Sequence, residues 1–124
     1  MLSNKFVQRI KATPNAITYE RVMEYIDAEY DYTPTRFTNG IKGDQVVNEE
    51  GINEGSCKIF AFAKLVGLNE RDTLACFGKF YMEDVMGNIN GDDHINIRTF
   101  MRHGWKGLQF DKPALVAKVL EEID

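Results

Sequence analysis

Of the two cysteines in this 124-residue chain, Cys57 has the position that most suggests chemistry. It follows the polar run Asn53-Glu54-Gly55-Ser56 and precedes an almost entirely apolar stretch, which places it in the first turn of a predicted helix. The unpaired N–H groups and the dipole at a helix start favour an ionised thiol, the form that attacks an electrophile. Cys57 is therefore a candidate nucleophile. The alternative is a small residue that lets the helix entrance pack closely.

A nucleophilic cysteine needs a base, usually a histidine that an amide or a carboxylate orients. The chain has two histidines, His94 and His103, and both lie at the ends of one predicted helix. Asn96 is close to His94 in the sequence. The predicted catalytic set is therefore Cys57, His94 and Asn96, with His103 as the alternative base. The alternative polarising residues are Asn39 and Asn53.

The run Asn88-Ile89-Asn90-Gly91-Asp92-Asp93-His94 contains side chains that bind metal ions. It lacks the acidic first residue and the closing glutamate of a calcium-binding EF-hand loop. Asp92 or Asp93 is also expected to cap the next helix, a role that needs no metal. No Cys/His pair has the spacing of a zinc site. The sequence therefore predicts neither a metal site nor a cofactor, and a metal bound by Asp92, Asp93 and His94 with a further ligand elsewhere is the alternative.

Two further regions are candidates for binding a partner. The segment from Tyr25 to Phe37 is rich in tyrosine and acidic residues, so its rings could line a groove for a basic or amide group. The alternative is that the rings pack on the core. A small basic cluster near Trp105, suited to an anion or an acidic partner, consists of Arg98, Arg102 and Lys106. The predicted ligand-binding residues are Tyr30, Tyr32, Asn39, Asn53, Glu54, Arg98, His103 and Trp105.

The composition predicts one folded domain, residues 1–124, because 44% of the residues are hydrophobic and 27% are charged. A net charge of −4 argues against binding to nucleic acid, which requires a basic face. No apolar run is long enough to cross a membrane. Two cysteines are too few for a disulfide scaffold, so both thiols are predicted to be reduced.

Apolar periodicity and capping residues predict a mainly α (α+β) domain with about six helices and a small antiparallel β-hairpin or three-stranded sheet. Gly78, inside the fourth helix, is predicted to mark a close contact with another element. The first helix is basic and free of acid, as targeting segments are. The elements are a helix around Phe6, Val7 and Ile10; a helix from Tyr19 to about Tyr30 after a Thr18 cap; a hairpin of Arg36–Asn39 and Asp44–Asn48; a central helix over Gly55–Val66; a helix from an Asn69 cap with an apolar stripe to Val85; a helix ending at His103; an extended or β segment at Trp105–Phe110; and a last helix from an Asp111 cap to Ile123.

Three strings of the sequence together resemble the HopJ family of bacterial type III effector proteins. The strings are Tyr30-Asp31-Tyr32-Thr33-Pro34-Thr35-Arg36-Phe37-Thr38-Asn39-Gly40, Asn53-Glu54-Gly55-Ser56-Cys57-Lys58-Ile59-Phe60-Ala61-Phe62-Ala63, and His94-Ile95-Asn96-Ile97-Arg98 with Phe100-Met101-Arg102-His103-Gly104-Trp105. The resemblance runs in order over nearly the whole chain. It implies a small bacterial protein related to virulence, of a family with some members delivered into plant cells by type III secretion.

The resemblance implies no reaction and no catalytic residues. The function it favours is an interaction or binding module for a host or bacterial protein. The alternative is a cysteine-dependent hydrolase or transferase that uses Cys57 with His94 or His103. The expected location is the bacterial cytoplasm, with secretion into a host cell as the further expectation.

Overall fold

The structure is a computed structural model that describes residues 3–118, with side chains from residue 5 onward. Helices make up most of this part of the chain, as the sequence predicts. The α-helices are α1 (Ser3–Ala12), α2 (Tyr19–Glu29), α3 (Glu54–Val66), α4 (Glu70–Ala75) and α5 (Ile95–His103), and a π-helix spans Phe80–Val85. Short 3-10 helices lie at Pro14–Ala16, Met86–Asn88 and Gly104–Gly107.

Two small antiparallel sheets accompany the helices. The strands are β1 (Tyr30–Tyr32), β2 (Phe37–Asn39), β3 (Val46–Asn48), β4 (Gln109–Phe110) and β5 (Leu115–Ala117). In the larger sheet β2 lies between β3 and β4, and Phe37 faces Asn48 on one side and Phe110 on the other. The predicted hairpin is therefore confirmed. Of the segment Trp105–Phe110, predicted to be extended or β, Gln109–Phe110 forms the third strand, whereas Gly104–Gly107 is a 3-10 helix in which the Leu108 N–H donates back to the Trp105 carbonyl.

The central helix is α3, because its side chains are buried on most sides. Phe60 packs its ring against Phe37, Phe77 and Phe100, which come from three other parts of the chain. Burying one such ring stabilises the fold by about 1.5–3 kcal/mol. The helix ends at Gly67, which takes the left-handed conformation (φ 74°) that glycine adopts without strain. Both the central position and the stop agree with the prediction.

The first two helices pack together as the apolar spacing predicts. Phe6, Val7 and Ile10 of α1 are buried, and the Phe6 ring stacks on Tyr25 of α2 with 4.4 Å between ring centroids. The Thr18 side chain accepts a hydrogen bond from the backbone N–H of Arg21 at 3.2 Å, which is the predicted cap of α2.

The continuous fourth helix of the prediction is wrong. The cap at Asn69 is present, since its side chain accepts from the Asp72 N–H at 2.7 Å, but α4 ends at Ala75. Gly78 then takes φ +58°, and a β-carbon there would lie 2.8 Å from the backbone nitrogen of Tyr19. The close contact predicted at Gly78 therefore exists, and it interrupts the helix because tertiary packing outweighs helix propensity.

A strand replaces the first part of the predicted last helix. Leu115 pairs with Tyr32 and Ala117 with Tyr30, so β5 joins β1. Leu115 is buried against the core, whereas Val116 and Ala117 are exposed. Thr33 N–H also donates to the Ala114 carbonyl at 2.8 Å and extends the pairing. The remainder of that prediction, residues 119–124, lies outside the described part of the chain.

Candidate functional site

Cys57 lies in the first turn of α3, as predicted, but its environment disfavours the thiolate. The side chain is 1% exposed, and its sulfur lies 3.8 Å from the Thr35 carbonyl oxygen as a hydrogen-bond donor. Burial raises the pKa of the thiol above its usual value. Neither histidine forms a hydrogen bond with this sulfur in the described structure. The role of Cys57 as a nucleophile stays a prediction.

A polar cluster lies beside Cys57 on the outside of α3. The Tyr32 hydroxyl donates to Glu54 Oε2 at 3.0 Å, and burial, followed by the neighbouring Cys57 and Glu54 side chains, raises the pKa of Tyr32. Lys58 places its Nζ 4.8 Å from the centre of the Tyr32 ring and 2.9 Å from Asp27 Oδ1. These side chains form hydrogen bonds, an ion pair and a cation–π contact with one another, so few of their polar groups are available to a ligand.

His94 marks the start of α5. The sequence predicts Asp92 or Asp93 as the cap, but His94 occupies the cap position with φ 51° and no side-chain capping bond. Its Nε2 lies 3.0 Å from Asp84 Oδ2, and its ring lies against Phe80 with 5.2 Å between centroids. The capping prediction is therefore wrong.

Arg98 explains why Asp93 does not cap α5. The arginine is buried, with 5% of its surface exposed. Its guanidinium donates to Asp93 Oδ1 at 2.6 Å, to the Asp93 carbonyl at 2.6 Å and to the Ile89 carbonyl at 3.1 Å. The hydrogen bond from Arg98 holds the pKa of Asp93 below its usual range. The Asp93 carboxylate is thus engaged by Arg98, and Arg98 fastens the loop before α5.

Four asparagines connect the hairpin to the starts of α3 and α5. The Asn39 amide donates to the Asn96 carbonyl and Oδ1 at 2.9 and 3.0 Å, and Asn48 donates to the same Oδ1 at 3.0 Å. Asn96 donates to Asn48 Oδ1 at 2.8 Å, and Asn53 donates to that oxygen at 2.7 Å. Asn39, Asn48 and Asn96 are buried, so each bond matters for stability and for position.

A pocket of about 210 Å³ lies between the starts of α3 and α5. It brings together three residues of the sequence prediction, Asn53, His94 and Asn96. Asn53 and His94 are also the non-glycine residues with positive φ in the described chain, at 57° and 51°. The remaining lining residues are Tyr19, Gly55, Ser56, Phe77, Phe80, Ile95 and Ile97.

Three residues that line this pocket each have a polar atom without a hydrogen-bond partner among residues 5–118: the Tyr19 hydroxyl, the Ser56 hydroxyl and His94 Nδ1. Burial raises the pKa of Tyr19, so its hydroxyl keeps its proton and can donate. A β-carbon at position 55 would collide with this hydroxyl, so Gly55 is what allows Tyr19 to reach α3. Phe77, Phe80 and Ile97 supply apolar walls.

Sequence reasoning missed Tyr19, Ser56, Phe80 and Asp84. Two glycines carried a signal that could have found Tyr19, because Gly78 is needed where the start of α2 approaches and Gly55 is needed where the Tyr19 hydroxyl meets α3. The pairing of Asp84 with His94 had no such signal. The two residues come from the π-helix and the start of α5, and only the tertiary fold brings them together.

The other predicted binding residues lie away from this pocket's lining. His103 Nε2 lies 2.6 Å from Asp44 Oδ2, at the far end of α5. The Trp105 indole donates to the Leu68 carbonyl at 3.2 Å, and its ring meets Phe100 edge-on. Tyr30 is buried in β1, where its ring contacts Phe62.

Within residues 5–118, no group of three or more His, Cys, Asp and Glu side chains is arranged to hold a metal ion. Among the described helices, none is both long and apolar enough to cross a membrane.

The comparison with known families identifies the class of this protein. The family described as "HopJ type III effector protein" matches residues 3–115, and the chain belongs to that family. A crystal structure described as "unknown function protein VPA0580" is similar to it, with 46% sequence identity and a TM-score of 0.88. The alignment covers 93% of this chain and 92% of that one. No curated protein matches the chain.

Proposed function

We propose that this HopJ family member is a binding module, and that the pocket between the starts of α3 and α5 is its binding site. The observation that carries the proposal is the group of hydrogen-bonding atoms without partners at the pocket: the Tyr19 hydroxyl, the Ser56 hydroxyl and His94 Nδ1. A small number of convergent polar groups on apolar walls is the usual composition of a ligand site.

The backbone at the pocket supports the same proposal. Asn53 and His94 both hold left-handed conformations, which cost side-chain-bearing residues free energy and concentrate at functional sites. The buried asparagine cluster holds both helix starts in place, because Asn48 bonds to Asn53 and to Asn96. A binding site gains affinity from such support, since less order has to be imposed when the ligand arrives.

The cysteine-dependent hydrolase or transferase is less well supported. Cys57 is buried, its pKa is raised, and it does not line the proposed site. A nucleophile requires the thiolate and access for the substrate. We therefore assign Cys57 to packing at the entrance of α3 and leave the reaction out of the proposal.

The proposed partner is a host or bacterial protein, and the proposed location is the bacterial cytoplasm with export by type III secretion. We expect residues 1–18, which precede α2, to carry a fused reporter out of a type III-competent strain but not out of a secretion-deficient strain. Because Phe6, Val7 and Ile10 are buried in the folded domain, a signal there is readable only before folding. Equal reporter release from both strains, or none from either, would contradict export.

The binding site is tested by screening a library of small polar fragments against the ¹⁵N-labelled chain. We expect shift changes at Ser56, His94 and Tyr19, and a roughly tenfold loss of affinity for the hits in Tyr19→Phe and in Ser56→Ala, because each change removes one hydrogen bond. Tyr30→Phe is the matched control, since it removes a tyrosine hydroxyl outside the pocket. The proposal fails when the hits bind elsewhere, when none binds, or when the control weakens binding as much.

A further inference from the structure

A larger groove of about 420 Å³ adjoins the proposed site. The two share Tyr19, Phe77 and Phe80, and the Tyr19 and Phe80 rings meet edge-on with 5.0 Å between centroids. One wall is the start of α2 with the turn before it, and the other is the segment from Phe77 to Glu83. The second wall includes the first turn of the π-helix, an element that is rare and often occurs at functional positions.

The groove has the apolar surface that a protein partner requires. Phe80 is 38% exposed although it is aromatic, and Met82 lines the same wall. Of the nine exposed large apolar residues in the described chain, four lie between residues 80 and 95 of the sequence, namely Phe80, Met86, Ile89 and Ile95, and Ile95 lines the adjoining pocket. An exposed aromatic ring beside a methionine on a groove wall is the kind of surface that protein interfaces use.

The charges around the groove are mostly acidic. Glu20 lies on one wall and Glu83 on the other, and neither forms an ion pair with another residue of the described chain. Lys79 is the basic lining residue. From Phe80 to Ile97 the sequence contains four acidic residues and no lysine or arginine. Unpaired carboxylates on both sides of an apolar floor favour a cationic partner and repel an anionic lipid surface.

We propose that this groove binds a peptide segment of a partner protein in which an apolar side chain is flanked by lysine or arginine. The apolar side chain packs on Phe80 and Met82, and the cationic side chains pair with Glu20 and Glu83. A second copy of this chain does not supply such a segment from its basic α1, because Phe6, Val7 and Ile10 are already buried in their own domain. The inference rests on the proposed role as a binding module and adds the class of partner.

The test is selection of random twelve-residue peptides displayed on phage against the full chain, followed by titration of the enriched peptides as synthetic ones. We expect enrichment of apolar residues flanked by Lys or Arg, and affinity that falls with added salt. The double variant Glu20→Gln/Glu83→Gln should weaken binding roughly tenfold. Glu29→Gln/Asp31→Asn is the matched control, because it changes the net charge equally at two carboxylates that lie outside the groove lining and form no ion pair with another described residue, and it should leave affinity within about twofold.

Each outcome decides the inference. Enrichment of neutral or acidic peptides, no enrichment, or equal weakening by both double variants overturns it. Circular dichroism and thermal unfolding show whether the variants remain folded. Tyr19→Phe and Ser56→Ala separate this inference from the proposed site, because both keep the groove walls. Fragment binding that depends on these hydroxyls without peptide binding overturns the groove alone, and the reverse result overturns the pocket alone.

Discussion

The two ends of α5 each hold a histidine against an aspartate, but the surroundings differ. At the start, His94 Nε2 lies 3.0 Å from Asp84 Oδ2, the backbone is left-handed, and the ring borders an open pocket. At the end, His103 Nε2 lies 2.6 Å from Asp44 Oδ2, and Arg102 donates to both Asp44 oxygens at 2.7 and 3.1 Å.

The difference shows that a histidine–aspartate pair does not by itself make a site. At the His103 end, the hairpin turn supplies Asp44, and the contacts of Asp44 with Arg102 and His103 join the hairpin to α5. At the His94 end, Nδ1 and two nearby hydroxyls have no hydrogen-bond partner within residues 5–118. Open space and unpaired polar atoms therefore distinguish the candidate site from a structural contact.

The largest expected effect comes from breaking the support at the start of α5. Asn96→Ala removes the side chain that Asn39 and Asn48 bind, and it leaves their buried amides without that partner. We expect the free energy of unfolding, measured by urea denaturation, to fall by about 2–4 kcal/mol. The exposed loop residue Asn90 provides the control Asn90→Ala, with a change within about 0.5 kcal/mol. Similar values for the two variants would contradict the role of the network.

A prediction of intermediate size concerns the backbone conformation at the two ends of α5. Because His94 has φ 51°, we expect His94→Gly to be more stable than His94→Ala by about 1 kcal/mol. His103 has φ −118°, and there the order should reverse, with Ala more stable than Gly by about 0.5–1 kcal/mol. Chemical denaturation of the four variants measures both differences, and each glycine–alanine pair is its own control. The same sign at both ends would contradict the assigned strain.

The smallest effect sharpens the description of the His103 end. Hydrogen bonds from Arg102 and then His103 lower the pKa of Asp44 to about 2 from its usual 3.8. A lowered carboxyl pKa gives stability that is present above the usual value and lost as the pH falls toward the folded one. Asp44→Asn should therefore lower the melting temperature at neutral pH. The difference in melting temperature between the variant and the original chain should disappear as the pH falls from 4 to 2.

The control for this pH series is Asp31→Asn, an exposed aspartate without an ion pair to another described residue. If Asp31→Asn changed the melting temperature by the same amount and with the same pH dependence, the contacts of Asp44 would not be the source of the effect.

Much of the fold could be predicted from local patterns, because α2, α3 and the hairpin obey them. The Thr18 cap, the apolar run through Phe62 and the stop at Gly67 all lie where the sequence indicates. The predictions of secondary structure fail where contacts with residues distant in the sequence determine the conformation. Residues 115–117 have an apolar spacing that suits a helix, but pairing with β1 makes them a strand. Gly78 ends a helix because Tyr19 needs the space.

The candidate site was predictable in part. Asn53, His94 and Asn96 are polar residues at helix starts, so local reasoning selected them, and all three line the pocket. Local reasoning also selected Cys57 for its place at a helix start, but whether a thiol is accessible depends on what covers it. Tyr19 and Phe80 were missed because each is unremarkable within its own segment.

By itself, the sequence determined the helical class, the central position of α3 and the family, since these depend on apolar spacing, turn residues and recurring strings. Only the tertiary structure decided which chemistry-bearing residues are open and which are engaged. Cys57 is buried and donates to the Thr35 carbonyl, His103 forms a hydrogen bond with Asp44, and His94 lines a pocket. The physical reason is that exposure and hydrogen-bond partners depend on residues distant in the chain, which local spacing does not encode.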